Sequence, residues 1–424
     1  MHRVVAYPEV AKLREEAGAP RAGWGFISIY AAAYAGTWLA LLTPIMVTLA
    51  LRVQELAPDR AAGRLSLVLG VGALFALVGN PLVGRLSDCT TSRRGMRRPW
   101  LIGGALAGAA SLWLVAVAPS MTWVLVGWCL AQLSFNAVLA PLAALLPDQV
   151  SPAQRGTVAG IIGICTPVGQ VGGTYLTHAV AGSMVAMFML PALVGVATVL
   201  LLAISLRDRH IDRSAVRPLS APDLAQSFWI NPRRFPDFAW IWTGRFFLMM
   251  AMAFLMAYQP FYLMYRLGFQ AVDVPDAVFR STLLQACAVV TASLLSGRLS
   301  DITRRRKPFV IAAALIYALG AASIAFADDY SMFLVGMTIS GIGLGAYLSV
   351  DFALVTDALP NEQRDAAKDL GLFNIASTLP QSVAPMLASM ILAYSGGNYS
   401  AVFGAGAVVA LLSAAAIAPV KRVR

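Results

Sequence analysis

The chain is 424 residues long, 58% hydrophobic and only 12% charged, with a formal net charge of +11. A soluble domain carries roughly 25% charged residues, so this composition excludes an ordinary water-soluble protein. The positive charge does not argue for nucleic acid as a partner, because it falls in short loops between apolar stretches, where Lys and Arg collect beside a membrane.

Residues 1–23 hold Lys12, Arg14, Glu15 and Glu16 without an apolar run, so no cleaved signal peptide is expected and the first span must start insertion. Twelve apolar helices are predicted in chain order, at 24–51, 63–86, 99–118, 121–146, 155–181, 183–206, 238–266, 277–298, 308–327, 330–357, 367–394 and 398–419. Period-two alternation is missing throughout, which argues against a membrane barrel of strands. The sixth and seventh helices flank a polar stretch, 207–237, with Arg207, Arg209, Arg213, Arg217, Arg233 and Arg234. The predicted fold class is therefore all-α, with an N-terminal six-helix bundle (1–206), a cytoplasmic linker (207–237) and a C-terminal six-helix bundle (238–424). Within the linker, Ala221–Ile230 is expected to lie as a short amphipathic helix on the membrane surface.

Orientation follows from the basic residues. With both termini cytoplasmic, the outward loops hold only Arg52, Arg60, Arg64, Arg266 and Arg280, and Arg245 lies inside a span. The remaining 26 of the 32 Lys and Arg then face inward. A multi-pass protein of the cytoplasmic membrane, expected as a monomer, is the consequence.

The two halves repeat one another. Gly84-Arg85-Leu86-Ser87-Asp88 returns as Gly297-Arg298-Leu299-Ser300-Asp301, each run followed by arginines and a proline, Pro99 and Pro308. Ala144–Asp148 echoes Ala353–Asp357, and Gly160–Gln170 echoes Gly371–Gln381. One displacement relates the bundles, and an even helix number per half makes this a parallel repeat about an axis along the membrane normal, the architecture of solute carriers.

Arg245 and Asp351 are the sharpest chemical signals. A charge within the bilayer costs at least about 2.5–3.5 kcal/mol on insertion scales and so has a partner or a duty. Arg245 lies seven residues into its helix from Phe238, and Asp351 six residues before Asp357, depths of about 10 and 9 Å at 1.5 Å per residue. They are expected to meet, with Asp351 as proton acceptor and Arg245 holding it ionised; the alternative is an ion pair that only fastens two helices. Asp88 and Asp301 are expected to act in gating, capping neighbouring helix N-termini and pairing with loop arginines such as Arg97, Arg98 or Arg155. Near the midplane, Tyr34 and Trp38, four apart, share a face, as do Gln132 and Asn136. Gln170 and Gln381 occupy equivalent repeat positions, and these polar and aromatic side chains are candidate substrate contacts, with interhelical packing as the alternative for each.

The four cysteines, Cys89, Cys129, Cys165 and Cys287, show no paired spacing, and neither metal-ligand clustering, a Gly-x-x-x-x-Gly-Lys-Ser/Thr loop nor a catalytic constellation occurs. No metal, no cofactor and no enzymatic activity are expected.

These residues together resemble the major facilitator superfamily over essentially the whole chain, Gly84–Pro99 looking like that superfamily's signature loop. More narrowly, Asn80–Pro99 is similar to the corresponding loop of plant-type sucrose–proton symporters, of the glycoside–pentoside–hexuronide:cation group. Leu41-Leu42-Thr43-Pro44, and Gly371-Leu372-Phe373-Asn374-Ile375-Ala376 with Pro380-Gln381, look like the same group, which adds Asn374 to the candidate substrate contacts. The resemblance implies helices 7 and 10 at a central cavity, and cation-coupled movement of a sugar or glycoside, with protons as the second partner. The first half departs from it: Gln132 stands where those symporters carry a coupling aspartate, and Ala143 where they carry an arginine. Proton-driven efflux of a drug or secondary metabolite is therefore the alternative, and a non-transporting receptor on the same fold a third reading.

Overall fold

A computed structural model describes residues 21–206, 208, 236–303, 305–358 and 366–420, with side chains described except at 301 and 352–374. Twelve long helices run through them, and no strand occurs among the described residues. We number them α1 (Trp24–Leu56), α2 (Ala61–Asp88), α3 (Arg98–Ala116), α4 (Met121–Gln149), α5 (Pro152–Ala179), α6 (Met184–Ser205), α7 (Pro236–Tyr265), α8 (Val274–Thr303), α9 (Lys307–Ala325), α10 (Tyr330–Ala358), α11 (Ala366–Tyr394) and α12 (Tyr399–Ile417). Eleven are long and apolar enough to cross a bilayer. The exception among the described residues, α5, is diluted by glycines and by Gln154, Arg155, Gln170 and His178. The segment Ala221–Ile230 lies outside the described residues.

The first helix runs five residues past its predicted end. Arg52, expected in an outward loop, sits in the last turns of α1, where it is only 9% exposed. Its guanidinium donates to Glu55 Oε2 at 2.6 Å and to the Ala118 carbonyl at 2.7 Å, which satisfies the charge and lets the helix continue. Inside α1, Pro44 cannot donate a backbone N–H, and the chain loosens into one π turn, Pro44–Thr48, closed by Leu49 N donating to the Pro44 carbonyl.

Packing repeats between the halves. In the first, α1 lies against α5 and α6, α4 against α2 and α3, and α3 against α6. In the second, α7 lies against α11 and α12, α10 against α8 and α9, and α9 against α12. The bundles meet along α2–α11 and α5–α8, pairs that the repeat exchanges with one another, so a pseudo-twofold axis runs between them.

The side-chain bonds between bundles lie at one end. Tyr265 Oη donates to Gln54 Oε1 at 2.6 Å, the Ser66 and Tyr258 hydroxyls are bonded, and His178 Nδ1 stands 3.3 Å from Asp276 Oδ1. Phe279 stacks on His178 and meets Tyr175 edge-on. All of these residues sit in the halves of their helices away from the arginine-rich loops. At the basic end the bonds from Arg97 to Asp88, Arg98 to Leu206, Arg155 to Pro147 and Lys307 to Ala418 each stay within one bundle. The Tyr265–Gln54, Ser66–Tyr258 and His178–Asp276 contacts close the cleft between the halves at the end away from the arginine-rich loops.

Candidate functional site

A cavity of about 140 Å³ lies between the bundles, just inside that seal. Trp38, Leu42 and Ile45 of α1 and Leu69 of α2 form an apolar wall, and Met249, Met252 and Met256 of α7 face them. These three methionines recur at three- and four-residue spacing, so one helical face delivers all of them. Polar groups enter singly, Gln132 from α4, Thr166 and Gln170 from α5, and Ser377 and Gln381 from α11. The Gln170 amide nitrogen points to Met256 Sδ at 4.0 Å, across the bundle interface. No charged side chain lines the cavity among the described residues.

Of the candidate contacts, Trp38, Gln132, Gln170 and Gln381 are brought to this one space. Tyr34 is not among its walls; it lies one turn nearer the basic end and packs edge-on against Tyr30 at 5.8 Å. Sharing a helical face with Trp38 does not give it the same depth, since four residues are about 6 Å of rise. Asn136 is likewise engaged elsewhere, accepting from Asn80 Nδ2 at 2.9 Å and donating to the Gln132 carbonyl at 2.8 Å, a polar tie between α2 and α4. The Asn374 side chain lies outside the described residues.

Arg245 of α7 and Asp351 of α10 are in direct contact through Nη1 and Oδ2. Asp351 is wholly buried, and its other oxygen, Oδ1, accepts no hydrogen bond among the described residues. The guanidinium makes a second bond, Nε donating to Ser377 Oγ at 2.7 Å. Ser377 is also a wall residue of the cavity, whereas neither Arg245 nor Asp351 is. The pair thus stands one hydroxyl behind the cavity wall.

At the basic end, Asp88 pairs with Arg97 at 2.6 Å. Arg97 is nearly buried and also binds Ser87 Oγ at 2.8 Å and Asp148 Oδ2 of α4 at 3.3 Å. This knot lies within the N-terminal bundle. The other two arginines expected beside Asp88 go elsewhere. Arg98 donates to the Leu206 carbonyl, and Arg155 reaches the carbonyls of Val150 and Pro147 at 3.2 and 3.1 Å, where the end of α4 leaves acceptors unmet. The cap on α3 comes from Asp208 rather than from Asp88, its Oδ2 accepting from the backbone N–H of Arg97 and Arg98 at 2.8 and 2.7 Å. The Asp301 side chain lies outside the described residues. Replacing Arg97 by Ala leaves Asp88 and Asp148 facing each other without a cation and is expected to cost about 2–3 kcal/mol. A thermal melt of the detergent-solubilised protein should therefore drop for Arg97→Ala and fall less far for Arg97→Lys.

Asp148, Asp208, Ser377 and the α7 methionines were not among the candidates. Asp148 ends the repeated motif Ala144–Asp148, which is the one sequence signal that could have drawn attention to it.

Compared with known proteins, the chain matches the family model of the Major Facilitator Superfamily over residues 24–284 and 279–424. It belongs to that superfamily. Members of that superfamily are non-enzymatic membrane transporters, and eleven helices of this chain are long and apolar enough to cross a bilayer. It is 36% identical over 104 residues to the multidrug resistance protein MdtL of Citrobacter koseri, covering 24% of this chain and 26% of that one. It is 31% identical over 174 residues to the class G tetracycline resistance protein of Vibrio anguillarum, covering 41% and 42%. The facilitator thus spans between about a quarter and two fifths of the length of these curated relatives. Among solved structures, that of a D-xylose–proton symporter superposes with a TM-score of 0.68 at 15% identity, covering 95% of this chain and 98% of that one, a likeness of fold. These comparisons reach the superfamily and not the narrower glycoside–pentoside–hexuronide:cation group.

Proposed function

We propose that this facilitator exports neutral, largely apolar small molecules in exchange for protons. The observation that carries the reading is the cavity wall: three methionines, Trp38 and aliphatic side chains, with amides and hydroxyls interspersed and no charged group among the described residues. Methionine is flexible and polarisable, and surfaces rich in it accept varied apolar shapes. A sugar site needs many convergent hydrogen bonds instead, because each buried hydroxyl must find a partner. The names of the relatives matched in sequence, resistance proteins for drugs and tetracycline, favour the same choice. At about 140 Å³ the cavity is smaller than the roughly 300–1,000 Å³ of a drug-sized site. A cargo of that size enters only as the bundles part further at the basic end.

In this reading the basic end is cytoplasmic, the cleft takes cargo from the cytoplasm, and the bundles rock about the cavity to release it outside. Asp351 carries the proton and Arg245 competes with it. Expression in a bacterial strain lacking its own exporters is expected to raise the inhibitory concentration of chloramphenicol, a neutral apolar probe, and of similar neutral antimicrobials. Proteoliposomes with an inward proton gradient are expected to accumulate no labelled sugar. Sugar accumulation without any gain in tolerance would overturn export in favour of symport.

A further inference from the structure

We propose that Ser377 is the positioning residue that keeps Arg245 on a single oxygen of Asp351, leaving the other oxygen to the proton and placing that choice under the control of whatever fills the cavity. This rests on the reading of Asp351 as the proton site.

The geometry has three parts. First, the guanidinium is divided: Nη1 binds Asp351 Oδ2, while Nε is held by Ser377 Oγ at 2.7 Å. The bond from Nε to Ser377 fixes the plane and rotation of the guanidinium, and in that orientation it meets Asp351 through Nη1 on Oδ2 alone rather than by the end-on fork that holds such a pair most firmly. Second, Asp351 Oδ1 is buried and accepts no hydrogen bond among the described residues, so it is the oxygen on which a proton resides without first displacing the arginine. Third, Ser377 belongs to the cavity wall, one turn before Gln381, and is the wall residue in hydrogen-bond contact with the pair. The other titratable group facing the pair among the described residues is Tyr347, one turn before Asp351 on α10 and close enough to Arg245 to interact with it electrostatically.

Consequences follow for exchange. A cargo that donates a hydrogen bond to Ser377 Oγ competes with Arg245 Nε for the same oxygen. Once Nε is released, the guanidinium turns until its Nη1–Nη2 edge faces both oxygens, and the proton leaves Oδ1 for the water of the open cleft. When cargo departs, Ser377 recaptures Nε and Oδ1 is again available. Cargo and proton then exclude one another, which is what an exchanger requires.

The test needs no identified cargo. Infrared difference spectroscopy of the full-length protein in lipid nanodiscs, titrated with pH, reports the protonated carboxyl stretch of Asp351, assigned by its loss in Asp351→Asn. In Ser377→Ala, and in Ser377→Cys, the protonated form at a given pH is expected to fall about tenfold, equivalent to one unit of pH. Ser377→Thr, which keeps the hydroxyl, is expected to match wild type. Wild-type protonation in both the Ala and Cys variants would overturn the role of Ser377 and leave Asp351 standing as the proton site. Should Asp351→Asn remove no titrating band, the proton site itself is wrong, and the proposal falls with it.

Discussion

Asp351→Asn is expected to reduce proton-driven transport to background while leaving the protein folded and inserted. Asparagine has the shape of aspartate and keeps a carbonyl that accepts from Arg245, but it binds no proton in the working range of pH. With no group to protonate, a pH gradient has no purchase on the conformational cycle, whereas exchange of labelled cargo at equal pH needs no proton and should persist. Outright removal of one member of a buried ion pair costs about 3–5 kcal/mol because the remaining charge is uncompensated. Here the retained hydrogen bond holds the penalty nearer about 1–3 kcal/mol, which a folded membrane protein tolerates. Proteoliposomes loaded with labelled chloramphenicol, assayed with and without a pH gradient, separate the two activities. Full gradient-driven flux in Asp351→Asn would end the assignment of the proton to this carboxyl.

Gly320→Leu is expected to be the most damaging single change to the fold of the C-terminal bundle. Gly320 of α9 and Gly336 of α10 face each other across the seam between the two helices. A Cβ at 320 would lie 2.7 Å from Ser340 Cα and 2.9 Å from the Gly336 carbonyl oxygen. One at 336 would lie 2.9 Å from Ile324 N and 3.0 Å from the Gly320 carbonyl oxygen. The obstructing atoms are backbone, so no rotamer change relieves the clash and the helices must separate. Overpacking of a closed core costs about 1–3 kcal/mol, occasionally more, and a displaced α9 also loosens its seam with α12. The loss is therefore placed at or above about 3 kcal/mol. Gly404→Leu in α12 is the control, since no atom lies within 4 Å of a Cβ there. Equal melting temperatures for the two variants in detergent would contradict the account of the α9–α10 seam.

Much of the architecture was legible because its causes are local. An apolar stretch of about 20 residues has to be helical in lipid, where every backbone N–H and C=O needs a partner within its own segment. The repeated Gly-Arg-Leu-Ser-Asp runs marked the two halves, and Gln170 and Gln381, equivalent in the repeat, both line the one cavity. Other residues misled for identifiable reasons. Tyr34 shares a face with Trp38 but not its depth. Asn136 shares a face with Gln132 but is engaged by Asn80 from a neighbouring helix. Arg52 looked like a loop residue because one of its partners, Glu55, is a helical turn away and the other, the Ala118 carbonyl, lies 66 residues on, beyond two further helices. Ser377 carries no signal at all, since a serine in an apolar helix commonly bonds its own backbone.

The chain's own order of residues determined that it spans a membrane as helices, that it does so as two related bundles, and that one arginine and one aspartate are placed at depths where water is scarce. Those properties depend on length, polarity and repetition along a single strand of polymer, and each can be read one segment at a time. Which polar groups share a cavity, which side chains close the cleft away from the arginine-rich loops, and which hydroxyl stands between cavity and ion pair were decided only by tertiary structure. Those outcomes depend on the rotation and axial offset of each helix against its neighbours. An error of one residue turns a helical side chain by about 100° and shifts it by about 1.5 Å, enough to move Ser377 off Arg245 or Gln170 out of the cavity. Packing at the bundle interface fixes those two quantities, and no segment carries them alone.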